Sequence, residues 1–289
     1  MFGPTAVGKT GVAIEVAERL RGRGEDPVAV NCDAIQIYQG LEILSGAASS
    51  SERARLEHRL LGIDAVDGEF SAGRFAPLAH GEIDRLLAEG RRPILVGGTG
   101  LYMRAALSDL DLRPPVAPEL RAAVTREIAE RGSPALHAEL EPELAASTHP
   151  NDAKRVGRLT ELVRAGIEPA RSSDGLWTNA LRRPTTLIGI VAGREQLRAR
   201  IDARVDQMVR LGVAEEVRSA AAAGVSRTAR GAIGFEDLLE GNVDAMRSAQ
   251  WRFARRQLTW LRKMPDITVI DRSDRSDAEV AAEIVSALG

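Results

Sequence analysis

Cysteine is almost missing from this chain: Cys32 is the only one in 289 residues. That excludes an internal disulfide and a zinc site built from several cysteines. Aromatic residues make up only 3%, while alanine is abundant, a balance that favours closely packed helices over a β-rich fold. No apolar run reaches the length of a membrane span, and the N-terminus lacks a charged-then-apolar signal pattern. A cytoplasmic protein without a membrane is expected. The net charge of −2 excludes a globally basic nucleic-acid binder, so a polyanionic partner must be held by a local patch. Lysine is scarce as well, with Lys9, Lys154 and Lys263 set against many arginines. A lysine at a motif position is therefore informative.

What is present is Gly3-Pro4-Thr5-Ala6-Val7-Gly8-Lys9-Thr10, which fits G-x-x-x-x-G-K-[ST], the loop whose backbone N–H groups wrap a phosphate chain. Gly3 and Gly8 allow the close backbone approach, Lys9 adds a compact positive charge, and Thr10 offers a hydroxyl to Mg²⁺. Residues 11–20 read as a helix with Val12, Val16 and Leu20 near one face, so its dipole end points at the anion. A loop of this kind ordinarily hangs from a buried parallel strand, yet only Met1 and Phe2 precede Gly3. The expectation is that translation starts upstream. The alternative is a central sheet position left partly empty.

Residues 27–32 read as a buried strand ending at Asp33, on the sheet edge where ligands bind and where the phosphate loop lies. Asp33 and Lys9 are expected to be neighbours. Residues 49–61 look helical, and residues 69–89 contain a longer helix with Phe75, Leu78, Ile83, Leu86 and Leu87 as its apolar set. A third strand, residues 92–96, runs into Gly97-Gly98-Thr99-Gly100-Leu101-Tyr102. Glycines stand where an NTP-hydrolysing enzyme usually carries a metal-binding aspartate, which argues against an ordinary NTPase. Thr99 reads equally as a turn residue or as a donor to a phosphate or base.

From residue 109 to about 179 the composition shifts. Pro114, Pro115 and Pro118 introduce a helix over 119–131, another begins near Asp152, and a flexible loop is expected near Ser172 to Gly175. Lys154 and Arg158 share a helix face, as a pair gripping successive phosphates or as a solvated surface. The chain then returns with a strand at 186–191 and helices over 194–224, where Ile201, Val205, Met208 and Val209 form a stripe and Arg200 and Arg204 leave it. A basic amphipathic helix over 245–263, a strand at 267–270 and a helix at 278–288 complete the chain. The fold class expected is α/β, a P-loop NTPase-like parallel sheet flanked by helices with a mostly helical insertion. Its parts are a core over 1–110, an insertion over 111–180 and the rest of the core over 181–289.

Gly3 to Thr10, Asp33-Ala34-Ile35-Gln36-Ile37-Tyr38, Gly97 to Tyr102 and His149-Pro150-Asn151-Asp152 together resemble the bacterial tRNA dimethylallyltransferases. So do Ile201-Asp202-Ala203-Arg204-Val205-Asp206-Gln207-Met208, Ala232-Ile233-Gly234-Phe235 and Arg255-Arg256-Gln257-Leu258-Thr259-Trp260-Leu261-Arg262. The order and spacing run through almost the whole chain. The resemblance implies transfer of a dimethylallyl group from dimethylallyl diphosphate to the exocyclic amine of the adenosine beside the anticodon. Mg²⁺ is required and ATP is not hydrolysed. It also implies a P-loop core and a helical insertion that clasp the anticodon stem-loop of tRNA, in an enzyme expected to be a monomer. A diphosphate leaving group would account for the missing metal-binding aspartate.

On this resemblance Lys9, Arg204 and Thr10 through Mg²⁺ neutralise the departing diphosphate held by Gly3, Pro4, Thr5, Ala6, Val7, Gly8, Lys9 and Thr10. Asp33 directs the attacking amine or takes its proton, and Thr99 helps to place it. The alternative for Asp33 is a turn cap or a partner of Lys9. Asp33, Ala34, Ile35, Gln36, Thr99, Arg121, Lys154, Arg155, Val156, Gly157 and Arg158 are implied to touch the tRNA, with Gln36 suited to an adenine edge. The chain departs from the family's pattern at Ala34, where serine is common, and at Ser45-Gly46-Ala47, where Thr-Ala-Lys is common. The missing lysine removes one group that would touch the substrate. The alternatives are a related class that prenylates free adenine nucleotides, a small-molecule kinase, and a non-enzymatic nucleotide-binding module that would leave Asp33 and Thr99 without a role; Lys154 and Arg158 on the insertion favour a large acceptor.

Overall fold

A computed structural model describes residues 1–169 and 174–288. They fall into two compact units, Met1–Ser108 with Asn179–Gly289, and Asp109–Thr178.

The first unit is built on parallel strands. β1 (Pro27–Asn31) is buried along its whole length. It pairs in parallel with β2 (His58–Arg59) on one side and β3 (Arg92–Val96) on the other, in the order β2-β1-β3. A strand buried on both faces reads as an unbroken apolar run, as Val28, Ala29 and Val30 do. A second parallel pair joins β4 (Ile188–Val191) to β5 (Thr268–Asp271).

Phe2 lies between the two sheets, bridging in parallel to Gly97 on one side and to Gly189 on the other. Its N–H donates to the Ile188 carbonyl at 2.9 Å and its carbonyl accepts the Ile190 N–H at 2.8 Å. The Met1 amine donates to the Leu95 carbonyl at 2.6 Å and its carbonyl accepts the Gly97 N–H at 3.3 Å, so the central sheet position is occupied by the backbone of Met1 and Phe2. Next to it a cavity of about 260 Å³ is lined by Met1, Ile94, Leu95, Leu187 and Ile188.

Helix Lys9–Arg21 follows the glycine loop and buries Val12, Val16 and Leu20. They join Ile190, Ile201, Ala254, Ile270 and Ile284 in the main apolar core. That core draws on β4, β5 and the helices Arg194–Arg210, Val243–Lys263 and Asp277–Ala287, so residues far apart in sequence fix where the loop sits.

Two expectations of the sequence are corrected here. Residues 49–61 are not one helix: Ser50–Arg55 is helical behind a Ser49–Glu52 capping box, and Leu56 then turns extended. The chain goes on as β2, because pairing with Ala29 and Val30 supplies the ladder bonds that a continued helix would lose. Helix Ala72–Ala88 buries Phe75, Ala79, Ile83 and Leu86, while Leu78 and Leu87 are 44% and 43% exposed. The same applies to Val209, exposed beside the buried Ile201, Val205 and Met208.

The second unit packs helices Pro118–Arg131, Ser133–Ala138, Pro142–Ala146 and Ala153–Arg164 around Val124, Leu136 and Val156. Asp152 caps the last of these by accepting the Arg155 N–H at 3.1 Å, which stabilises a helix start by about 1 kcal/mol. Of the loop expected near Ser172 to Gly175, Ser172 and Ser173 lie outside the described residues. Asp174–Trp177 forms a short 3₁₀ turn. Among the described residues, no helix is long and apolar enough to cross a membrane.

Candidate active site

The loop from Gly3 to Thr10 turns on two left-handed residues, Ala6 with φ 61° and Gly8 with φ 91°. Gly8 is the N-cap of helix Lys9–Arg21, so the first amides of the helix open beside the loop, a ready anion site. Lys9 folds back over it, its Nζ donating to the carbonyls of Gly3 at 3.1 Å and Pro4 at 2.9 Å. Burial pulls the Lys9 ammonium down from 10.5 to about 8, with nearby Asp33 opposing the shift and Arg204 adding to it. Lys9 and Asp33 are neighbours as expected, and Arg204 stands beside them. Asp33 makes no ion pair with Lys9 among the described residues, so that alternative role for the carboxylate is not the one realised.

Asp33 follows β1 at the ligand edge. Its Oδ1 accepts the Ile35 N–H at 3.0 Å and its own N–H donates to Asn31 Oδ1 at 3.1 Å. One carboxylate oxygen therefore shapes the turn. Asn31, buried at the end of β1, also donates to the Leu60 carbonyl at 2.9 Å, which ties this turn to the segment after β2. From the neighbouring strand, the Thr99 hydroxyl accepts the Ala34 N–H at 3.1 Å. Thr99 precedes helix Gly100–Leu107 but makes no side-chain cap bond to it, so its hydroxyl serves the Asp33 loop and not its own helix.

Arg204 reaches the same place from helix Arg194–Arg210 and donates to the Ser45 carbonyl at 3.0 Å. Burial lowers its pKa against the pull of Asp33 and Glu52, and its Nε is buried without a hydrogen-bond partner. Gly46 makes room for it: a Cβ there would stand 1.9 Å from Arg204 Nη2. The departure at Ser45-Gly46-Ala47 thus receives an arginine. Gln36 is less available than its sequence position implies. Its Nε2 donates to the carbonyls of Ser45 at 3.3 Å and Gly46 at 3.1 Å, leaving its side-chain carbonyl as the group to offer a base.

Gly8, Lys9, Asp33, Gln36, Thr99 and Arg204 line one cavity of about 760 Å³ together with Thr10, Gly97, Gly98, Ile233 and Phe253. Among the described residues, no group of three His, Cys, Asp or Glu side chains is placed to hold a metal. Gln257 escaped the sequence reading as a functional residue. It is buried, accepts the Thr5 N–H at 2.7 Å and donates to the Gly98 carbonyl at 2.8 Å, locking the loop to the glycine turn. Its signal was a glutamine on the buried face of an amphipathic helix, one turn past Ala254.

In the second unit the run from Lys154 to Arg158 divides. Val156 is fully buried in the unit's core, and Gly157 is buried where a Cβ would meet Ile128 at 2.9 Å. Neither is placed to touch RNA, a correction to the sequence reading. Arg158 donates to the carbonyls of Arg113 and Pro114 at 3.1 and 2.6 Å and pairs with the buried Glu161 at 3.2 Å. Arg121 pairs with the same carboxylate at 3.5 Å. The two arginines are engaged in holding a buried charge, so Arg158 is less available to a phosphate than Lys154. Lys154 and Arg155 remain exposed.

The sequence model of IPP transferase matches residues 36–264. The chain belongs to the IPP transferase family. It is 40% identical over 274 residues to the tRNA dimethylallyltransferase of Anaeromyxobacter dehalogenans, covering 90% of each chain. It is 36% identical over 282 residues to that of Thermobifida fusca, covering 92% of this chain and 87% of the relative. The crystal structure of the tRNA isopentenylpyrophosphate transferase from Bacillus halodurans superposes with a TM-score of 0.71 at 29% identity, covering 99% of this chain and 93% of that one. A eukaryotic dimethylallyltransferase acting on tRNA shares the fold, with a TM-score of 0.73 at 23% identity.

Proposed function

We propose that this family member transfers a dimethylallyl group from dimethylallyl diphosphate to the N6 amine of the adenosine adjacent to the anticodon in tRNA, releasing diphosphate. The observation that carries the reading is the meeting of Lys9, Arg204 and Asp33 at one cavity beside the amides of the glycine loop. Two neighbouring cations whose burial disfavours their charge, one with an unpartnered guanidinium nitrogen, suit a polyanion more than an apolar ligand.

In this reading the loop Gly3 to Thr10 is a P-loop that cradles the diphosphate. Lys9, Arg204 and the helix amides take up charge on its oxygens as the allylic C–O bond breaks. Thr10 lines the cavity beside Lys9, and a hydroxyl with diphosphate oxygens and water is a donor set that fits Mg²⁺ without a cluster of carboxylates. When bound, Mg²⁺ would supply further positive charge at the leaving group. Asp33 orients the adenine amine and accepts its proton as the C–N bond forms, with Ile35 and Asn31 fixing the turn that carries it. Thr99 holds the Ala34 amide and so the register of that turn.

A tRNA acceptor is favoured over a free nucleotide by the named activity of relatives that match about nine-tenths of the chain. Lys154 and Arg155 are exposed cations in the first turn of the second unit's capped helix and suit its phosphates. The reading carries with it a cytoplasmic enzyme that acts as a monomer. Incubation with labelled dimethylallyl diphosphate, Mg²⁺ and either bulk tRNA or AMP tests it. Label in the tRNA with release of diphosphate is expected. Label only in AMP would favour the nucleotide prenyltransferases, and phosphoryl transfer from ATP would favour a kinase.

A further inference from the structure

Against the glycine loop stands an arginine that none of this chemistry uses. Arg272 follows β5 directly and is only 4% exposed. Its N–H donates to the Val191 carbonyl at 2.9 Å, which continues the β4–β5 ladder and sets the side chain's origin. Its Nη1 donates to the Val7 carbonyl at 2.7 Å and pairs with Asp277 Oδ1 at 2.9 Å, and its Nη2 donates to the Arg275 carbonyl at 3.3 Å. Asp277 opens helix Asp277–Ala287 behind a Ser276–Glu279 capping box. Both members of the pair therefore rise from anchored backbone.

The pair lies directly against the loop. A Cβ at Gly8 would come within 2.0 Å of Arg272 Nη1, and one at Gly11 within 2.0 Å of Asp277 Oδ2. The one loop atom that Arg272 grips is a carbonyl, and a trans peptide is planar with its C=O and N–H pointing opposite ways. Fixing the Val7 carbonyl toward Arg272 turns the Gly8 N–H the other way. Gly8 lines the cavity. Left to itself, a peptide between Val7 and a glycine with φ 91° has an easy flip available, and a flip would present a carbonyl oxygen to the anion where a donor is needed.

We propose that Arg272, held by Asp277, is a positioning residue for the diphosphate loop: its grip on the Val7 carbonyl keeps the Gly8 N–H facing the bound diphosphate. The proposal rests on the reading of Gly3 to Thr10 as the diphosphate site. It assigns Arg272 no direct bond to the substrate. Its effect is confined to the donor half of the reaction, so the affinity for tRNA is independent of it.

The test is binding of inorganic pyrophosphate by calorimetry, with steady-state kinetics in parallel, for wild type, Arg272→Met, Arg272→Lys and Asp277→Asn. Arg272→Met is expected to weaken pyrophosphate binding about 10–100-fold and to raise KM for dimethylallyl diphosphate without changing KM for tRNA, the loss of about one charge-assisted hydrogen bond. Arg272→Lys keeps one donor for the Val7 carbonyl and is expected to recover most of the loss. Asp277→Asn, half-exposed and itself lining the cavity, gives up the ion pair to Arg272 and is expected to lose about 2–5-fold. A folded Arg272→Met protein that binds pyrophosphate as wild type does would overturn the clamp. Should that variant not fold, unchanged binding by Asp277→Asn would overturn it alone. Wild type that fails to bind pyrophosphate would instead remove the diphosphate reading on which the clamp depends.

Discussion

The hydroxyl of Thr99 accepts the backbone N–H of Ala34 at 3.1 Å, joining the turn after β3 to the turn that carries Asp33. A residue at the tip of one strand thus positions the carboxylate at the tip of its neighbour. Thr99→Val keeps the shape and removes the acceptor, leaving a part-buried amide unpaired at a cost of about 1–3 kcal/mol. Turnover on tRNA is expected to fall about 10–100-fold while Thr99→Ser stays near wild type. Equal activity of the valine and wild-type enzymes would remove Thr99 from the site.

Lys9 carries a pH dependence with a definite sign. Burial lowers its pKa from 10.5 to about 8, so the folded, ligand-free protein releases this proton earlier than the unfolded chain does. The cost of the buried ammonium is fully present below pH 8 and is relieved as the pH rises through 8 towards 10.5. A bound diphosphate needs the charged form. Its affinity is expected to be level below about pH 8 and to fall by about tenfold per pH unit above it, a slope that Lys9→Met abolishes. Calorimetric titration with a diphosphate monoester between about pH 7 and 10 measures this directly.

In the second unit, exposed and buried cations have different duties. Replacing Lys154 and Arg155 by alanine is expected to weaken tRNA binding and to lower the slope of log K against log salt by about 0.7–0.9 for each phosphate no longer neutralised. Thermal stability should change little. Arg158→Ala is expected to do the reverse and cost on the order of 1–3 kcal/mol of stability, because the buried Glu161 is deprived of the nearer of its two cationic partners. Filter binding at several salt concentrations, paired with thermal melts, separates the two.

The parts of this site that are contiguous were legible in the sequence. The glycine loop is a single eight-residue string, and Asp33 and Thr99 each end an apolar run at a strand's C-terminal edge, so position followed from local pattern. Arg204 entered through the family resemblance, and its neighbours explain why it was not readable otherwise: Ser45, 159 residues earlier, accepts its hydrogen bond, and Gly46 makes its space. Gln257 and Arg272 hold the loop through bonds to Thr5 and Val7 that span 252 and 265 residues. No local periodicity reports such pairings. β2 was hidden for a different reason, since two residues recruited by β1 carry no alternation of their own. The exposed Leu78, Leu87 and Val209 show the converse error, in which apolar residues flanking a helix's buried stripe were counted within it.

The most direct test of the proposed chemistry is single-turnover transfer by Asp33→Asn at saturating dimethylallyl diphosphate and tRNA. Asparagine keeps the acceptor for the Ile35 amide, so the turn survives while charge and basicity are removed. An adenine amine is a weak nucleophile whose lone pair is delocalised into the ring, and the variant lacks the carboxylate placed to take up its proton. The rate is expected to fall by roughly two to four orders of magnitude, the span of general base catalysis, with pyrophosphate and tRNA affinities within about threefold of wild type. An Asp33→Asn enzyme that transfers the dimethylallyl group at near wild-type rate would contradict the account.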